Sequence, residues 1–205
     1  MTAPHGTFDR GTAALALAVA RRLDAGYVIA RGFDPGVRIN VNRPTEGAGL
    51  SCDRETVTAR AQQVYDEYRR LVELAAGAAP LRLYVEIHGN ARAETVGQIE
   101  VATKGIALAE AERVKAAYPA LLARARGETA SYPALALLVE PADQLRWTAS
   151  CDKRLGVMAS GAIRRALHVE LPRAARDDAL SAVTAGVLAG LVAEIISETS
   201  ASPSR

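Results

Sequence analysis

Short apolar runs of strand character alternate with longer stretches of helical spacing along this sequence, and that alternation most constrains its fold. "LRLYVEIHGN" (81–90), "VGQIEVATKG" (96–105), "YPALALLVEP" (132–141) and "ALHVELP" (166–172) read as strands, rich in apolar and β-branched residues and bounded by glycine or proline. "YVIAR" (27–31) and "VRINVN" (37–42) are shorter runs joined by the turn-rich "GFDPG". Helical stretches lie around and between them. The first, "GTAALALAVARRLDAG", stops at Gly26. The second is N-capped by Asp53, carries Val57, Ala61, Val64, Tyr65, Tyr68, Leu71, Val72 and Ala75 at helical spacing, and ends at Gly77. "ALAEAERVKAAYPALLARARG" has a break or kink at Pro119, and a last helix runs from about Ala174 to Ser197. The segment around "RWTASCDKRLGVMASGAIR" carries no clear period. Strands alternating with helices predict an α/β fold, a three-layer αβα domain with a mainly parallel or mixed central sheet. Ligands of such sheets bind beyond the carboxyl ends of the strands.

The chain of 205 residues suits one domain with a proper core over 1–205, the polar stretch at 199–205 being expected as a disordered tail. A net charge of +2, from 25 basic and 23 acidic residues without a basic stripe, excludes an evident nucleic-acid binder. "ALSAVTAGVLAGLVAEII" approaches the length of a bilayer span, but it contains Ser181, Thr184 and Glu194 and reads better as a buried or half-buried helix. No membrane partner is expected. No signal peptide is read at the start, so a cytoplasmic location is expected. Cys52 and Cys151 lie far apart without CxxC spacing, which argues against a disulfide framework or a thiolate metal site.

The chemistry-bearing residues gather at strand ends. His88 closes "LYVEIHGN", and alternation puts Glu86 on the same strand face, where a carboxylate can orient an imidazole. Glu170 stands in the apolar "ALHVELP" with His168 two residues earlier on its face; burial would raise its pKa towards that of a general base. A salt bridge from Glu170 to Arg164 or Arg173 explains it equally well. "RINVNRP" offers Asn42 and Arg43, the arginine having the planar fork that grips a carboxylate, or else satisfying loop carbonyls. Glu100, in "QIEVATKG", is a further strand carboxylate. Near the start, "TAPHGTFDRGTA" places His5 four residues before Asp9.

The order of these pieces, PHG-x-x-D, N-x-N-R-P, E-x-H-G and a late H-x-E-L, resembles the N-formylglutamate amidohydrolase family and the wider zinc-dependent exopeptidase-like hydrolases, including poly-γ-glutamate hydrolases. The resemblance runs from Thr2 to the last helix. "HGT" stands where relatives have a double glycine, and only "MTA" stands where they have a first strand.

The resemblance implies a zinc ion held by His5, Asp9 and His88, with Glu170 as general base and Asn42 and Arg43 on a substrate carboxylate. Glu86 would steady His88, and His168 would face the oxyanion or support Glu170. The function so implied is zinc-dependent cleavage of an amide (C–N) bond in a small carboxylate-bearing substrate, such as an N-acyl amino acid or glutamyl amide. Two alternatives stay open: a non-catalytic carboxylate binder of the same fold, and a plain α/β module that forms homo-oligomers through its last helix. The Gly-rich nucleotide-binding motifs are absent.

Overall fold

The computed structural model describes residues 1–33, 36–77 and 81–197. The tail expected at 199–205, and Asp34 and Pro35 of the turn-rich connector, lie outside the described residues. The strands are β1 (Thr2–Ala3), β2 (Val28–Ile29), β3 (Thr45–Glu46), β4 (Thr56–Val57), β5 (Tyr84–Asn90), β6 (Gln98–Lys104), β7 (Ala136–Val139) and β8 (Ala166–Pro172). The helices are α1 (Thr12–Arg22), α2 (Ala59–Ala76), α3 (Leu108–Glu128), α4 (Ser150–Leu155) and α5 (Ser181–Ile196).

Six strands form the central sheet in the order β2-β1-β5-β8-β6-β7, all neighbours parallel except β8 and β6. β3 and β4 make a separate antiparallel pair. The fold is thus the expected three-layer α/β domain. "MTA" supplies a two-residue strand at the inside of the sheet, paired with both β2 and β5.

The period of two along the strands separates the two faces of the sheet. Val85 and Ile87 of β5, Ile99 and Val101 of β6, and Leu167, Val169 and Leu171 of β8 enter the main core. There they meet Leu15 and Val19 of α1, Val114 and Tyr118 of α3, and Leu188, Leu191 and Val192 of α5. Each Val or Leu side chain buried there contributes about 1.5–3 kcal/mol. The segment Asp178–Ile196 is long and apolar enough to cross a membrane, yet half of it is buried in this layer, where α5 packs against α1 and α3. The opposite face carries Tyr84, Glu86 and His88 of β5 beside Ala166, His168 and Glu170 of β8. α2 covers the near end of that face with Tyr65, Tyr68 and Val72 and leaves the far end for polar groups.

Several local expectations are corrected. Thr58, not Asp53, caps α2: its Oγ1 accepts a hydrogen bond from the Ala61 amide at 3.1 Å, and Asp53 lies in a 3₁₀ turn before β4. Gly77 does end α2, at φ 72°, a left-handed conformation that glycine adopts without strain. "VRINVN" is no strand; Ile39 makes an isolated bridge to Glu46, and the Asn40 amide bonds Thr45 Oγ1 at 3.0 Å. Side chains that bond nearby groups in this way compete with a strand ladder. α3 continues through Pro119 as one helix. Cys52 and Cys151 form a disulfide with Cα atoms 5.8 Å apart, contrary to the expectation from their spacing. Separation along the chain says nothing about proximity in the folded chain, where the 3₁₀ turn of Cys52 meets the start of α4.

Candidate metal and substrate site

The register between β5 and β8 builds the centre of the site. Glu86 faces His168, and His88 faces Glu170, in two adjacent rows across the parallel pair. Glu100 of β6 extends the second row, opposite Glu170. On the other side of β5, the turn after β1 brings in His5 and Asp9. The Asp9 amide bonds the His5 carbonyl at 2.7 Å, and the Asp9 carbonyl accepts from Thr12 at the start of α1. Asp9 Oδ2 accepts the Gly89 amide at 3.0 Å, which fastens the turn to the end of β5. A Cβ at Gly89 would push against the Arg176 guanidinium, which bonds the carbonyls of Leu171 and Asn90.

Three histidines meet here. The ring of His88 stacks on His168 with centroids 4.0 Å apart, and His5 approaches His88 edge-on at 5.2 Å. The two nitrogens of His88 face different carboxylates: Nδ1 lies 3.6 Å from Asp9 Oδ2 and Nε2 lies 3.4 Å from Glu86 Oε2. His168 bridges two more, with Nδ1 3.1 Å from Glu86 Oε2 and Nε2 3.2 Å from Glu170 Oε1. Glu86 is wholly buried and densely bonded. Besides both histidines it accepts from the Tyr84 hydroxyl at 2.6 Å and faces the Asn42 amide at 3.3 Å.

These contacts set the protonation of the site. Burial alone would lower the His88 pKa, but Asp9 and Glu86 outweigh it and raise it to about 10. His168 is likewise raised, the pull of Glu170, Glu86 and Asp152 overcoming burial and the neighbouring His88 charge. His5 goes the other way, to about 4, through loss of hydration and then repulsion from His88. Burial pushes the carboxyls of Asp9, Glu86 and Glu170 up, but the histidines pull all three below the usual carboxylate range. The raised pKa expected for Glu170 is therefore corrected, because His168 provides the partner that a lone strand carboxylate would lack.

Asn42 and Arg43 lie beside this cluster and bind a carboxylate of the chain itself. Asp152, in the first turn of α4, accepts from the Asn42 amide at 2.9 Å and from Arg43 Nη1 at 2.8 Å. Arg43 forks onto Glu55 through Nε at 2.7 Å and Nη2 at 2.5 Å. The Cys52–Cys151 bridge joins the two segments that carry these carboxylates. Asp152 also lies 3.5 Å from His168 Nδ1, and burial raises its pKa despite Arg43.

An open pocket of about 470 Å³ lies over the cluster, lined among others by His5, Asp9, Arg43, His88, His168 and Glu170. All eight residues to which the resemblance gives a site role thus lie in or directly beside one cluster. The sequence reading missed Asp152, Glu55, Tyr84, Arg92 and Trp147. Arg92 and Trp147 also line the pocket, and the Arg92 guanidinium lies 4.3 Å over the Trp147 ring. Alternation along β5 could have found Tyr84, two residues before Glu86 on the same face; the other four become part of the site only through contacts more distant in sequence.

The donor set suits a metal. Glu86, His88 and His168 form a buried group whose ligand atoms all lie within 4.8 Å of one another and could hold an ion. His5 and Asp9 add two donors on the pocket side of His88. Imidazole nitrogens with carboxylate oxygens are ligands that zinc accepts.

No known protein family and no curated protein matches the sequence. Solved structures that resemble the fold include proteins described as "putative metallopeptidase" from Shewanella amazonensis, Shewanella baltica and Shewanella denitrificans. The first is 13% identical, with a TM-score of 0.42, over 95% of this chain and 75% of that one. The second is 13% identical with a TM-score of 0.42, over 96% and 74%. The third is 13% identical with a TM-score of 0.39, over 96% and 72%. A likeness of this degree leaves function to be argued from the site.

Proposed function

We propose that this protein is a zinc-dependent hydrolase that cleaves an amide bond in a small carboxylate-bearing substrate, with His5, Asp9 and His88 as the metal ligands. One observation carries this reading: the two nitrogens of His88 are divided between Asp9 on the pocket side and the buried Glu86 behind it. A metal-bound histidine characteristically gives its second nitrogen to a carboxylate that fixes its tautomer. Glu86 suits that supporting place better than a ligand's, because Tyr84, Asn42 and two histidines already share its oxygens.

A divalent metal would supply polarisation of the substrate carbonyl and acidification of water. The chain's own groups would do the rest. Glu170 Oε1 is engaged by His168, whereas Oε2 is buried without a hydrogen-bond partner in a residue that lines the pocket. That oxygen would take a proton from the attacking water and return it to the departing amine. His168 would hold Glu170 in place. A disulfide is rare in a reducing cytosol, so the Cys52–Cys151 bridge speaks against the cytoplasmic location expected from the sequence.

Elemental analysis of protein purified without added metal or a histidine tag, followed by assay on N-acyl amino acids, tests the proposal. Near-stoichiometric zinc and zinc-dependent turnover are expected. Zinc-loaded protein without turnover would favour the carboxylate-binding alternative. Failure to take up zinc would end the metal reading altogether.

A further inference from the structure

We infer that Arg92, laid on Trp147, is the group of this pocket that binds an anionic ligand, and that the ligand is a carboxylate. The inference draws on the hydrolase reading only for the remainder of the substrate.

Of the two arginines lining the pocket, Arg43 has its fork on Glu55 and its remaining nitrogen on Asp152. A substrate carboxylate could reach it only by displacing one of two buried partners. Arg92 differs. Its Nη1 is buried without a hydrogen-bond partner and lies 3.8 Å from Glu170 Oε2, an oxygen equally without one. That separation gives attraction but exceeds a hydrogen bond. A buried donor left unmade is costly, and a ligand oxygen placed beside it would relieve that cost.

The side chain is also held ready. Its guanidinium carbon lies 4.3 Å over the Trp147 ring, a cation–π contact that restrains the side chain. Trp147 is itself placed by the neighbouring residue, because the Arg146 amide donates to Glu100 Oε1 at 2.7 Å. Glu100 faces Glu170 across the sheet, so the strands that build the reacting end of the pocket also set its anion-binding end. A planar guanidinium fork matches a carboxylate, which it can grip through two parallel bonds.

Trp147 is the only tryptophan of the chain, so its fluorescence reports directly on the contact. Zinc-loaded and metal-free protein would each be titrated with glutarate and with 1,5-pentanediol, a neutral analogue of the same length that cannot be hydrolysed. A saturable change with glutarate alone is expected in both forms, weakened about 10- to 100-fold by Arg92→Gln. Arg92→Lys keeps the charge and loses the fork, so it should also weaken binding; it decides the matter if the glutamine variant proves misfolded by circular dichroism. Unchanged glutarate binding in the folded variant overturns the inference. So does binding that requires zinc and ignores Arg92, since the carboxylate then sits on the metal. Arg92-dependent binding without turnover would remove the hydrolase reading and leave this one. Turnover with unchanged KM in Arg92→Gln would do the reverse.

Discussion

His88 and His168 stack with ring planes 15° from parallel and centroids 4.0 Å apart, although each comes from a different strand, and both lie against the same oxygen, Glu86 Oε2. Two buried imidazoles so close would repel if both were charged, yet the surrounding carboxylates raise the pKa of both. The carboxylates thus favour a proton on each ring despite the mutual repulsion of the pair.

A pH dependence follows from this. The folded His88 pKa of about 10 stands above its unfolded value near 6.5. Its contribution to stability is therefore complete below the unfolded value and lost as pH rises through the folded one. Melting temperatures of metal-free protein should fall from about pH 6.5 towards 10, and His88→Gln should flatten that slope. Zinc binds neutral imidazole, so zinc-loaded protein should resist the same alkaline rise. Scanning fluorimetry across this range with and without zinc would measure both effects, and equal slopes would contradict the assignment.

The choice of metal ligands is open to a ranking experiment. If His5, Asp9 and His88 bind zinc and Glu86 only orients His88, Glu86→Gln should weaken zinc by about 10- to 100-fold. His5→Ala and Asp9→Asn should weaken it more. Competition with a chromophoric chelator gives the order. The opposite ranking would assign the ion to the buried Glu86, His88 and His168 group instead.

Glu170 can be tested apart from the metal. Glu170→Gln keeps size and shape but cannot take a proton at Oε2, so turnover should fall by roughly 10²- to 10⁴-fold. Zinc content should stay at the wild-type level, because Glu170 is not a proposed ligand. Near-normal turnover with intact zinc would remove Glu170 from the reaction.

Arg43 should behave as a structural residue. Its guanidinium joins Glu55 to Asp152 with little solvent contact. Removing one member of such a buried set leaves uncompensated charge, and Arg43→Gln should lower the unfolding free energy by about 3–5 kcal/mol. Urea denaturation measures this. Arg43→Lys should reduce turnover equally on carboxylate substrates and on their methyl esters; a selective loss on the carboxylates would return substrate recognition to Arg43.

The sequence by itself determined five of the six sheet strands, all but β1, and the face on which the chemistry sits. A period of two is local, so "LYVEIHGN" and "ALHVELP" declare that Glu86 pairs with His88, and His168 with Glu170, on one side of their strands. It could not declare which strands are neighbours. The parallel register of β5 and β8 turned two local pairs into one cluster, and β1 brought the turn carrying His5 and Asp9 alongside. The same limit explains what local reading assigned differently. An arginine at a strand end looks available until Glu55 and Asp152 arrive from elsewhere to occupy it, and two distant cysteines look unrelated until their segments meet. Arg92 and Trp147 bear no local signal, and only the packing of the loop after β7 against the turn after β5 makes them a pair. Side-chain direction is written in neighbouring residues, whereas partnership depends on the whole chain having closed around them.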